Sequence, residues 1–216
     1  MKFLQCQLST LLKFGQSMYQ LIMNSLIKRY SFDKEIFSMV FLGFCFCWGL
    51  VVLIITPVQM ALNLPQTAYA SLVFLPHGVR VLSIWLFQAH AVIPLFLAHL
   101  FTYVFFWWHG EGALTILGLV LVGTLCAPMA FVLVRATGID ISTQNASVVH
   151  WRIILLIGFF ASIINSMGNS LLLSPSIDPS MHLITAATYL IGDTIGVFVV
   201  LTILVFSFRF LRWVKP

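Results

Sequence analysis

Six apolar runs of about twenty residues each leave this chain few ways to fold. They lie at 36–56, 68–87, 91–108, 112–135, 151–173 and 185–211. An α-helix crosses the ~30 Å hydrocarbon core of a bilayer in about 20 residues, so each run is the length of one crossing. Backbone N–H and C=O groups find no water there, which leaves the helix as the economical way to satisfy them. With 61% apolar and 8% charged residues among 216, too little polar sequence remains to coat a water-soluble body. The expectation is an all-α integral membrane protein of six transmembrane helices, its lipid bilayer the first partner. Residues 36–216 form the membrane domain, and no soluble catalytic or output domain fits.

Breakers punctuate the runs: Pro57 and Pro65 after the first, "HGEG" at 109–112, "ATGIDISTQNAS" at 136–147, and Pro175 and Pro179 before the last. Lys28, Arg29 and Lys34 precede the first run, Arg135 and Arg152 flank the fourth connection, and Arg209, Arg212 and Lys215 follow the last. The first, third and fifth connections carry no Lys or Arg. The positive-inside bias therefore puts both termini in the cytoplasm. The net charge of +5 sits at span ends, and no nucleic-acid partner is expected.

Residues 1–35 read as a cytoplasmic amphipathic, basic segment. Leu4, Leu8, Leu11, Leu12, Met18, Ile22 and Leu26 approximate one helical face, while Gln5, Gln7 and Lys13 interrupt the apolar run that a signal peptide needs.

The polar residues inside the spans are few and patterned. Arg80 lies roughly 18 Å into the second run, too deep for an interfacial anchor. A lone charge at that depth costs on the order of 3 kcal/mol, so a partner is expected. Asp193, the one acidic residue well within a span, is the expected ion-pair partner. Asn165, Asn169, Gly158, Ser162 and Ser166 share a face of the fifth run; Thr185, Tyr189, Gly192, Asp193 and Gly196 share one of the sixth; Pro76, Arg80 and Ser83 share one of the second. These faces should point inward together, either as packing seams or around a polar cavity. Gly192 and Gly196 have the small-xxx-small spacing that admits close helix approach. Pro76 removes a backbone hydrogen bond and Gly78 loosens the chain, which predicts a kinked or interrupted second helix.

His77 and His99 are candidates for proton relay or ligand contact. No pair of histidines has the i, i+4 spacing of a helical zinc site, and Cys45 and Cys47 face apart, so no metal or other cofactor is expected. The chain carries no GxSxG, HExxH or Walker loop, and the reading is non-enzymatic.

"LPHGVRVLSIWLF" with the following "AVIPLFLAHLFTYVFF", and "YLIGDTIGVFVVLTILVF" near the end, resemble the MASE-type membrane-associated sensor domains, closest to the membrane part of hexose-phosphate-type sensor kinases. The Pro-x-Gly and Gly-Asp-x-x-Gly motifs match; the proline that usually follows the second is replaced here, at Thr202. The resemblance implies that Pro76, Gly78, Arg80, Gly192, Asp193 and Gly196 mark the site, with His77, Asn165 and Asn169 beside them. It also implies sensory input in a bacterial inner membrane. No output domain follows "FRFLRWVKP", so the expectation is a stand-alone sensory or partner-recruiting subunit that signals through a kinase, a cyclase or a transporter component, with a small-molecule ligand as a further partner. The alternative is an uptake component like the membrane substrate-binding subunits of vitamin transporters.

Overall fold

The computed structural model describes residues 33–62, 70–107, 110, 112–139, 150–175 and 178–214. The proposed amphipathic segment at 1–35 lies outside these residues apart from its last few. Among the described residues the structure is predominantly helical, without strands. The helices are α1 (Lys34–Ala61), α2 (Leu75–Phe87), α3 (Val92–Thr102, continued by a π-helical turn Tyr103–Trp107), α4 (Ala113–Ala136), α5 (His150–Leu173) and α6 (His182–Val214). Among the described residues five helical stretches are long and apolar enough to cross a membrane, Leu75–Phe106 counting as one of them. The protein is a multi-pass membrane protein. Large apolar side chains such as Leu53, Phe105, Leu114, Leu171 and Phe206 point outward, as lipid-facing surfaces require.

Two boundaries differ from expectation. α1 runs on past residue 56 to Ala61 instead of stopping at Pro57, because a π-helical turn at Val51–Ile55 precedes the proline. The wider turn makes room for the pyrrolidine ring and its missing N–H. The second run is helical over about two thirds of its expected length. Residues 70–74 are irregular and α2 begins at Leu75, so Pro76 sits in its first turn, where a missing N–H costs nothing. The expected interruption is present, and Pro76 starts the helix rather than kinking it.

α2 and α3 are not one straight helix. Arg80 and His99, 19 residues apart, are joined by a hydrogen bond of 3.1 Å, whereas a straight helix would separate them by roughly 28 Å. The chain reverses through a short 3-10 segment, Gln88–Ala91, entered with Gln88 at φ 51°, ψ −128°. That region favours glycine. Gln88→Gly is expected to raise stability by about 1 kcal/mol. Denaturant unfolding in mild detergent would measure it, and a lowered midpoint would count against the turn.

Close glycine contacts set the packing. α2 runs beside α6 in the same direction: the Phe74 N–H donates to the Gly192 carbonyl at 2.9 Å, and Gly78 lies against Gly196 and Val200. α5 runs antiparallel to α6, with Gly158 on Val197 and Ser166 donating to the Ala186 carbonyl at 2.7 Å. α4 packs antiparallel on α5, Gly118 against Leu172 and Gly168 against Val122. Gly123 of α4 admits the ring of His99 from α3. α1 meets the bundle through bulky aromatic rings, Phe44 against His99 and Trp48 edge-on to Phe74.

Candidate functional site

All three polar faces anticipated from the sequence turn inward. Arg80 (2% exposed), Asp193 (0%), Asn165 (1%) and His77 (0%) are as buried as the apolar core. They meet because the broken second run and the sixth helix lie side by side. Gly192 and Gly196 have no side chains, so the irregular backbone of Ser71–Phe74 rests directly on α6. This contact brings the start of α2 to the level of Asp193. The small-xxx-small pair thus admits an irregular backbone segment, where the sequence suggested approach of another helix.

The expected direct Arg80–Asp193 ion pair is replaced by a relay. Arg80 Nη1 lies 3.3 Å from His77 Nδ1 and Arg80 Nη2 3.1 Å from His99 Nε2. Asp193 Oδ2 lies 3.4 Å from the same His77 Nδ1. The physical reason is helical geometry: His77 and Arg80 are three apart on one face of α2, and the histidine is the one nearer Gly192 and Asp193. Arg80 instead reaches between Phe44 and Phe74, its guanidinium carbon 5.6 and 5.3 Å from the ring centroids. Cation–π attraction is worth about 2 kcal/mol where water is excluded, and it offsets part of the burial cost.

Other hydrogen bonds extend the cluster. Asn165 Nδ2 donates to Asp193 Oδ2 at 2.6 Å, and Asn169 Nδ2 donates to Asn165 Oδ1 at 3.2 Å. His77 Nε2 lies 3.3 Å from the Gly158 carbonyl and 3.4 Å from Ser162 Oγ. Ser162 Oγ donates its own hydrogen to that carbonyl at 2.8 Å. Three polar atoms of the cluster have no hydrogen-bond partner among the described residues: Arg80 Nε, His99 Nδ1 and Asp193 Oδ1. Buried polar atoms are normally satisfied, so such a group of exceptions points to what the site receives.

A cavity adjoins them, with about 50 Å³ of free volume and Trp48, Ser71, Arg80, His99, Asn165 and Asp193 among its lining. One water occupies at least roughly 10–15 Å³ measured this way, so the space suits a few waters and excludes a large organic molecule in this conformation. No cluster of metal-ligating side chains occurs among the described residues.

Pro76, His77, Gly78, Arg80, Gly192, Asp193, Gly196, Asn165 and Asn169 therefore converge on one region. Pro76, Gly78, Gly192 and Gly196 shape its backbone, and the other five carry its polar groups. The sequence did not single out Phe44, Phe74 or Trp48, because nothing distinguishes three aromatics among 20 Phe and 6 Trp. No protein-family model, curated protein or solved structure matches the chain.

Proposed function

We propose that this chain is a non-enzymatic sensory or partner-recruiting subunit of a bacterial inner membrane, akin to the MASE-type sensor domains, that passes its state to another membrane protein. The observation that carries this reading is the relay Arg80–His77–Asp193–Asn165. It joins α2, α5 and α6 through polar contacts at the centre of an apolar bundle, so a change at one member alters how three helices pack. Buried ionic groups contribute little net stability for their cost. Their placement here suits a two-state element whose balance a ligand or partner shifts by binding one arrangement better.

Six crossings with both termini cytoplasmic form part of the same proposal. The turn at Gln88 shares a groove with Pro128, Phe131 and Arg135 at the end of α4. Sharing that groove with Arg135 supports a reversal near the same membrane face, and so supports counting α2 with residues 70–74, and α3, as separate crossings. α2 alone is 13 residues, about 20 Å, and the irregular segment supplies the remaining depth. Irregular backbone at such depth is tolerated where protein buries it, as Gly192 and Gly196 do here. The small free volume favours sensing over uptake of a vitamin-sized substrate.

Purification of the full chain from native membranes in mild detergent tests the reading. Wild type should retain a signalling protein such as a kinase or cyclase. Arg80→Ala, if it elutes as a folded species, should lose at least tenfold of that partner. Undiminished retention by the folded variant, or recovery of an energising transporter complex instead, would remove the proposal.

A further inference from the structure

The hydrogens around His77 cannot all be satisfied at once. Its Nε2 faces the Gly158 carbonyl, which only accepts, and Ser162 Oγ, whose hydrogen already goes to that carbonyl. Nε2 therefore carries a hydrogen. Nδ1 then holds a lone pair in the neutral ring and a hydrogen in the imidazolium. Two groups compete for it: Arg80 Nη1, a donor only, and Asp193 Oδ2, an acceptor when ionised. A neutral ring bonds Arg80 and leaves the carboxylate facing a lone pair. A protonated ring bonds Asp193 and must release Arg80.

We propose that the ligand of this site is a proton, delivered through water in the adjoining cavity, and that its uptake moves the bonding of His77 from Arg80 to Asp193. This deepens the sensory reading above and rests on it for its consequence, though not for its chemistry. Asp193 Oδ1, fully buried and without a partner, is in a residue that lines the cavity, and it takes the proton first. One O–H bond of a hydronium breaks and one carboxyl O–H bond forms. The carboxyl group then turns and gives the proton to His77 Nδ1, so that an N–H bond forms, the carboxylate regains its charge, and a water remains in the cavity. No electrons are transferred.

The other polar or titratable groups facing this centre fit the scheme. On α2, Arg80 stays a donor throughout. On α5 are the Gly158 carbonyl, Ser162 and Asn165, which do not titrate. On α6, Thr194 Oγ1 lies 3.4 Å from Ser162 Oγ and donates its hydrogen to the Leu190 carbonyl at 2.7 Å. On α3, His99 Nε2 accepts from Arg80, so its Nδ1 bears the hydrogen and His99 is occupied while neutral. On α4, Cys126 lies near Arg80, its thiol donating to the Gly123 carbonyl at 3.3 Å. α1 presents Phe44 and Trp48. Arg80, once released, keeps His99 and both aromatic faces, and its unpartnered Nε belongs to a residue that lines the cavity.

The test is nitrogen NMR of the full chain in lipid nanodiscs, with labelled histidine and arginine side chains, titrated from neutral to mildly acidic solution. His77→Gln assigns the His77 signals. Its amide reproduces the neutral ring, with an oxygen for Arg80 and an N–H for Gly158, and cannot take the proton. Asp193→Asn serves as a second assignment should His77→Gln fail to fold. In wild type the unprotonated Nδ1 resonance of His77 should be lost on acidification, and the Arg80 terminal nitrogens should shift with the same midpoint. In His77→Gln the Arg80 signals should stay still. A His77 Nδ1 that stays unprotonated, or Arg80 signals that move equally in His77→Gln, would overturn the proton proposal and leave the sensory reading to its own experiment. Coupled movement of both signals, with partner retention indifferent to Arg80→Ala, would establish the proton site and remove the sensory reading.

Discussion

Gly192→Ala and Gly196→Ala should each abolish the native packing of this protein. A methyl group on Gly192 would overlap the carbonyl oxygen of Ser71, and one on Gly196 that of Phe74. Both obstacles are main chain, so no rotamer change relieves them. Overpacking a core with a flexible neighbour costs about 1–3 kcal/mol; against rigid backbone the cost should exceed about 3 kcal/mol, a large share of a typical total stability. The Phe74 N–H would also lose its bond to the Gly192 carbonyl in the variant that displaces it. Gly43 and Gly49 are matched controls, since a Cβ on either meets nothing within 4 Å. Alanine there should be neutral or slightly stabilising, because glycine is the poorer helix former by roughly 1 kcal/mol. Monodispersity and denaturant midpoint in mild detergent measure all four. Equal behaviour of the two pairs would show that residues 70–74 do not rest on α6.

The second large effect concerns charge. Arg80→Met or Asp193→Leu alone should cost about 3–5 kcal/mol, the usual consequence of leaving one buried charge uncompensated. The double variant should be at least about 2 kcal/mol more stable than the sum of the single effects, because it leaves no ion to desolvate. The charges are not in direct contact; the His77 ring stands between them. The cycle therefore measures coupling through that ring, and with His77→Gln in place of His77 the coupling energy should change. Strictly additive losses in denaturant unfolding would show that Arg80 and Asp193 are independent, and the relay would then have no energetic content.

Much of the site was legible because charge and amide groups are so expensive in a membrane interior that each one present marks a contact. Arg80, Asp193, Asn165 and Asn169 stand out for that reason, and helical periodicity correctly turns their faces inward. The pairing was not legible. Sequence spacing put Arg80 and Asp193 within reach of each other in depth, but it carries no information on which side chain stands between them. His77 was visible as a candidate, and its place as the bridging residue depends on a helix start at Leu75 that the apolar run conceals. The same holds for Gly192 and Gly196: their spacing announces close approach without saying whether helix or irregular backbone arrives.

By itself, the sequence determined the environment and the helical architecture. Run length against bilayer thickness and the cost of unbonded backbone in lipid are properties of each segment alone, and they need no knowledge of its neighbours. Only the tertiary structure decided that residues 70–74 of the second run are irregular chain, that Arg80 lies between two phenylalanines, and that His77 faces a donor and an acceptor with one nitrogen. Those outcomes depend on which groups from distant segments arrive at the same place, and hydrophobic patterning, which is indifferent to the identity of its partner, cannot specify that.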